Sequence, residues 1–140
     1  MNKISTNSET ETLHWAHTFA KNLKSGDVVA LEGDLGAGKT IICKGICKGL
    51  GFEGLVNSPS YAIVHEYQNE PPIYHLDLYR LKNTNDLRDI GIDLYTESKG
   101  ITLIEWPSMA GNFPLNITHR ITITIITENK REICLKSIFL

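Results

Sequence analysis

Residues Gly33-Asp34-Leu35-Gly36-Ala37-Gly38-Lys39-Thr40 constrain this chain more tightly than any other stretch. They spell G-x-x-x-x-G-K-T. An apolar run, Val28-Val29-Ala30-Leu31, precedes them, and a segment from Thr40 to Leu50 that suits a helix follows. Buried strand, glycine-rich loop and helix, in that order, make a phosphate-binding loop. Glycines let the backbone of Gly33, Leu35, Gly36, Ala37 and Gly38 curl, so that its N–H groups turn inward toward a β-phosphate. The helix opening at Thr40 and Ile41 adds its positive end. Lys39 reaches the β- and γ-phosphates, and the Thr40 hydroxyl is placed to ligate Mg²⁺. A nucleoside triphosphate with Mg²⁺ is the expected ligand.

The bulk properties exclude several classes. A chain of 140 residues with 41% apolar and 21% charged residues is expected to fold as one domain over residues 1–140. No apolar run approaches the length of a membrane span, and Met1 to Thr10 carry no signal-peptide core, so a cytoplasmic location is expected. Cys43, Cys47 and Cys134 form an odd set without framework spacing, which suits a reducing compartment. A net charge of −2 and only four arginines, Arg80, Arg88, Arg120 and Arg131, argue against gripping nucleic acid unaided.

Ser8-Glu9-Thr10-Glu11 reads as a capping box opening a helix whose apolar face is Leu13, Ala16, Ala20 and Leu23, with Gly26 as its left-handed stop. Gly49 and Gly51 close the helix after the phosphate loop. Residues Phe52 to Ser60 form a loop. Tyr61 to Tyr67 and Ile73 to Tyr79 alternate as two antiparallel strands around Asn69-Glu70-Pro71-Pro72. Thr84 to Ile90 is a short helix stopped by Gly91, and Ile101-Thr102-Leu103-Ile104 is a second buried strand. Ile121–Thr127 and Glu132–Phe139 make a terminal hairpin around Glu128-Asn129-Lys130. The mixture implies a three-layer α/β P-loop NTPase domain with a central sheet part parallel and part antiparallel.

A phosphate loop needs a carboxylate for Mg²⁺ at the C-terminal end of a neighbouring buried strand. Glu105, following Ile101–Ile104 and preceding Trp106-Pro107, has that position. Asp77 interrupts an apolar run, and a carboxylate inside a sheet is costly without a partner. It either positions the attacking water, orders the Mg²⁺ shell, or pairs with Arg80. Cys43 and Cys47, one helical turn apart, could ligate a metal, but without a second ligand pair they read as small core residues. His75 shares a strand face with Asp77 and is given only a minor site role, while Trp106 either covers the nucleotide or fills the core. Rival chemistries fit poorly. The nearest string to a guanine-reading Asn-Lys-x-Asp is Asn129-Lys130-Arg131-Glu132, which ends in Glu within the hairpin. Four scattered arginines make a thin lid for a small-molecule kinase.

The phosphate loop, Ser58-Pro59-Ser60-Tyr61, His75-Leu76-Asp77-Leu78-Tyr79-Arg80-Leu81 and Glu105-Trp106-Pro107 together resemble the TsaE (YjeE) family of bacterial P-loop ATPases. The resemblance runs from about Ser8 to Pro107. It implies an ATP-hydrolysing subunit, with Mg²⁺, that acts with the TsaD and TsaB proteins in threonylcarbamoyladenosine modification of tRNAs reading codons that begin with A. tRNA would be met only through the complex. Carried over by position, Lys39 and Thr40 hold phosphate and Mg²⁺, Glu105 completes the metal site, and Asp77 is the catalytic acid. Trp106 neighbours the nucleotide, and Ser8 lies near the adenine. Two positions depart from the pattern. Ile41 stands where the family often has a second Thr, removing a hydroxyl from the α-phosphate, and Ser60 replaces a Thr while keeping a hydroxyl for a switch-like contact.

Overall fold

The computed structural model of the chain describes residues 2–57, 63–83 and 85–138. Its centre is a seven-stranded sheet in the order β1-β7-β6-β2-β5-β4-β3. The strands are β1 (Asn2–Thr6), β2 (Val28–Glu32), β3 (Val64–Tyr67), β4 (Ile73–Asp77), β5 (Ile101–Glu105), β6 (His119–Ile125) and β7 (Arg131–Ser137). The four inner strands β6, β2, β5 and β4 run parallel, whereas β7, β1 and β3 pair antiparallel with their neighbours. Val28–Leu31 is buried on both faces, as an inner parallel strand requires.

Two helices, α1 (Glu9–Ala20) and α2 (Lys39–Gly49), cover one face. They pack over Val29, Leu31, Leu103, Ile121 and Ile133. The other face carries Val28, Leu76 and Ile104 under α3 (Asn85–Ile90), α4 (Asp93–Thr96) and the 3₁₀ turn Pro107–Ala110. The expected three-layer mixed sheet is therefore the observed one.

The helix seam of the first layer is built from small residues. A Cβ at Gly45 would lie 2.6 Å from both Ala16 Cβ and Leu13 O, and one at Gly49 would lie 2.5 Å from His17 O. Gly45 and Gly49, one turn apart, thus let α2 press its backbone against Ala16 and Ala20 of α1. Ser8 caps α1 as expected, its Oγ accepting from Glu11 N at 3.1 Å, although Glu11 reaches back to the Asn7 amide instead of to Ser8.

Several boundaries differ from the sequence expectation. The polar segment Asn2–Thr6 is an edge strand, held by pairing with β7 and not by an apolar face. α1 stops at Ala20, with Lys21 as its cap, well before the left-handed Gly26. β4 stops at Asp77 and not at Tyr79, because Asp77 Oδ1 accepts from the Tyr79 amide at 3.0 Å and turns the chain. α4 follows Gly91, where only a stop was expected. The terminal strands sit near the expected hairpin, β6 beginning at His119 and ending at Ile125, and β7 beginning at Arg131. Residues 58–62, 84 and 139–140, including the Ser58-Pro59-Ser60 segment and the start of the strand expected from Tyr61, lie outside the described residues.

His119 begins β6 in a largely buried position, and its Nδ1 is 4.0 Å from Asp27 Oδ2. Burial holds its imidazole below the ordinary 6.5, with Asp27 pulling the other way. The unfolded chain therefore takes up this proton first, so the folded state loses stability as pH falls below 6.5. His119→Gln is expected to flatten the dependence of the urea midpoint on pH between neutral and mildly acidic solution. An unchanged slope would place the acid sensitivity elsewhere.

Candidate functional site

The phosphate loop joins β2 to α2 at the carboxyl ends of the parallel strands, the edge where open α/β sheets place their ligands. The loop starts with a turn in which Ala37 N donates to Asp34 O at 3.0 Å. Gly36 and Gly38 adopt φ of +79° and +116°, which side chains resist. Gly38 also caps α2 without any side-chain acceptor, so the first amides of that helix are free to meet a ligand. Gly33 serves from beneath. A Cβ there would lie 2.7 Å from Ile123 O, and its own carbonyl accepts from Lys39 Nζ.

Two lobes flank the loop. The first is lined by Leu35, Gly36, Lys39, Thr40, Asp77, Tyr79, Glu105 and Trp106. Two of its acids come from neighbouring strands in parallel register, Asp77 on β4 standing beside Glu105 on β5. The second lobe is lined by Ser8, Thr12, Gly36, Ala37, Gly38, Ile41, Asn129 and Arg131. Gly36, Gly38, Ile41 and Glu9 border both. Ser8, Leu35, Gly36, Ala37, Gly38, Lys39, Thr40, Ile41, Asp77, Glu105 and Trp106, far apart in sequence, are thus gathered around one loop.

Lys39 is buried, and burial lowers its pKa below 10.5, while Glu105, Asp77 and Asp34 draw it back up. Its Nζ rests 3.7 Å over the Trp106 ring. Trp106 in turn lies 4.9 Å from Tyr79 and holds φ +58°, a left-handed backbone fixed by the 3₁₀ turn that starts at Pro107. A non-glycine residue in that conformation is strained by about 1 kcal/mol or more, and such strain concentrates at functional sites. Trp106 both lines the lobe and packs against the second core.

The donor set fits a polyphosphate and a hard cation. Uncapped amides, Lys39, the Thr40 hydroxyl and the strand-end carboxylates of Asp77 and Glu105 line one open lobe, and oxygen ligands suit Mg²⁺. The second lobe offers hydroxyls, an amide and a half-apolar floor at Ile41, which suits a nucleoside.

His75, given only a minor site role from its sequence position, meets Glu105 directly. Its Nε2 lies 2.7 Å from Glu105 Oε2, with both side chains buried. Cys43 and Cys47 are core residues as expected, and burial holds the Cys47 thiol up to about 12. Cys43 nonetheless places Sγ 3.5 Å from His75 Nε2. Arg131 was missed as a site residue. Its Nε donates to Ala37 O at 2.9 Å, tying the β6–β7 turn to the phosphate loop. Nothing in its local sequence signals this, because the contact depends on β6 lying beside β2.

Comparison with known proteins gives the family and the fold. The family described as Threonylcarbamoyl adenosine biosynthesis protein TsaE matches residues 6–133. The chain is 45% identical over 97 residues to the tRNA threonylcarbamoyladenosine biosynthesis protein TsaE of Bacillus subtilis, covering 69% of this chain and 60% of that protein. Those of Treponema pallidum and Rickettsia typhi are 32% and 35% identical, with 90% and 93% of this chain and 93% and 91% of theirs covered. A crystal structure of Bacillus subtilis YdiB superposes with a TM-score of 0.81 at 33% identity, over 98% of this chain and 85% of that one. With the family model matched over residues 6–133 and relatives 32% and 35% identical over nine-tenths or more of this chain, the chain belongs to the TsaE family of tRNA threonylcarbamoyladenosine biosynthesis proteins.

Proposed function

We propose that this chain is the ATP-binding and ATP-hydrolysing subunit of a tRNA threonylcarbamoyladenosine-forming system, working with TsaD and TsaB proteins and meeting tRNA through them. The observation that carries the reading is the convergence of Lys39, Thr40, Asp77 and Glu105 on one lobe beside uncapped loop amides. Lys39 neutralises charge on the β- and γ-phosphates. The Thr40 hydroxyl and the Glu105 carboxylate hold Mg²⁺, which when bound offsets charge building on the phosphate oxygens. Asp77, at the end of β4, orients the attacking water. Ser8 and Ile41 take the nucleoside in the second lobe.

Lys39 is the cationic side chain among the residues lining the acidic lobe. Arg131 borders the other lobe and spends its guanidinium on loop carbonyls. An arginine supplied in trans is worth about 10³–10⁵ in phosphoryl transfer, so the isolated chain should turn over slowly. Phosphate release is expected to rise clearly when a TsaD–TsaB assembly is added. Asp77→Asn should suppress that rise while leaving nucleotide affinity nearly intact. Equal turnover with and without the partners, once association is verified, would overturn the coupled-ATPase reading. Partner association that tracks bound nucleotide without turnover would mark a nucleotide-gated binding subunit, and phosphate transfer to a small acceptor would mark a kinase.

A further inference from the structure

A row of polar side chains crosses the sheet behind the acidic lobe. Tyr67 on β3, His75 on β4 and Glu105 on β5 occupy three adjacent strands, each one diagonal step from the next. The Tyr67 hydroxyl lies 3.1 Å from His75 Nδ1, and His75 Nε2 lies 2.7 Å from Glu105 Oε2. All three are buried, with His75 fully so. Taking an imidazole and a carboxylate out of water is costly unless both are held by good partners, so this row is maintained against a penalty.

The direction of the row follows from counting protons. Tyr67 has one hydroxyl proton and two acceptors in reach, His75 Nδ1 and Asn57 O at 3.2 Å. An ionised Glu105 accepts only, so the nitrogen facing it must carry a hydrogen. With a neutral ring, Nδ1 is then bare and takes the Tyr67 proton. Glu105 thus selects the tautomer of His75, the Tyr67 hydroxyl holds the other ring nitrogen, and His75 fixes one oxygen of Glu105.

Resting on the reading of Glu105 as a metal ligand, we infer that His75 is a positioning residue which, oriented by Tyr67, clamps Glu105 Oε2 and leaves Oε1 as the oxygen presented to the cation. Without the clamp, the Glu105 carboxylate is free to rotate away from the Thr40 side of the lobe. Partners of ligating groups act in this way generally, and their loss costs about 10–100-fold in metal affinity.

The test measures the affinity of the full chain for a non-hydrolysable ATP analogue by calorimetry, in excess EDTA and in excess Mg²⁺. The ratio of the two is the Mg²⁺ gain. His75→Phe is expected to cut that gain about tenfold or more, on the scale of other outer-shell losses, with the EDTA affinity unmoved. Tyr67→Phe, which removes one oxygen, should cut it in the same direction by less, and His75→Gln, which restores an N–H donor, should recover much of it. A merely structural role would lower both affinities together, and that result overturns the inference. So does an unchanged gain in His75→Phe and Tyr67→Phe while Glu105→Gln loses it. If Glu105→Gln itself keeps the wild-type gain, the metal reading of Glu105 fails first. Should His75→Phe not fold, the Tyr67→Phe gain decides alone.

Discussion

Lys39→Ala is expected to weaken ATP binding by about 100-fold or more while the fold survives. The magnitude follows from losing two charge-assisted contacts to phosphate, each worth about 1.5–3 kcal/mol, at 1.4 kcal/mol per tenfold in affinity. Survival of the fold follows from the lysine's surroundings. Burial lowers its pKa, so before any phosphate arrives the protonated side chain is held at some cost, offset in part by Glu105, Asp77 and Asp34. For a base with a depressed pKa, the unfolded chain holds its proton to higher pH, so stability rises as pH climbs toward 10.5. Lys39→Ala should remove that rise and leave neutral-pH stability equal to wild type or slightly higher. Calorimetry with ATP and a urea titration at two pH values check both halves. Trp106 adds an optical check, because Lys39 rests on its ring and should leave when phosphate binds. The emission change should survive Trp15→Phe and vanish with Lys39→Ala. Unchanged affinity in a folded Lys39→Ala protein would end the phosphate-loop reading.

The second large effect is on stability. Gly45→Leu should cost about 3 kcal/mol or more, at the upper end of overpacking penalties. The new side chain would start from a Cβ already 2.6 Å from the Leu13 carbonyl and from Ala16. Neither is the movable end of a flexible side chain, so α1 and α2 must separate along their length. The sharper test is Gly45→Ala. In an exposed helix that change stabilises by about 1 kcal/mol. Here it should destabilise, because the close approach outweighs propensity. Thermal unfolding followed by circular dichroism reads the sign directly, and a rise in midpoint would show that the two helices do not meet as closely as described.

Elements whose sequence period matches their burial were legible from the residues alone. Val28–Leu31 and Ile101–Ile104 read as buried strands because inner parallel strands are apolar on both faces, and Ser8 read as a cap because its chemistry is local. The gathering of Lys39, Thr40, Asp77 and Glu105 was legible for the same reason, since acids at strand ends follow from the strands. What stayed hidden depends on sheet order. Asn2–Thr6 carries no apolar alternation and is a strand only because β7 offers a free edge. His75 looked like a neighbour of Asp77, yet its partners come from β3, β5 and α2. Gly45 carries no local signal at all, and only the path of α1 gives it a reason.

Hairpin turns on a protein surface usually accept inserted residues, since little else depends on their shape. The turn between β6 and β7 has no such latitude. Arg131 Nη1 sits 2.8 Å from Thr127 O and 3.1 Å from both Glu128 O and Lys130 O, while its Nε is committed to Ala37. One guanidinium therefore sets the length of the turn by the spacing of the carbonyls it collects. A fused tag or epitope placed there would pull on the very peptide that precedes Gly38, so labels for tracking this protein belong elsewhere on its surface, such as the exposed stretch around Gly111 and Asn112.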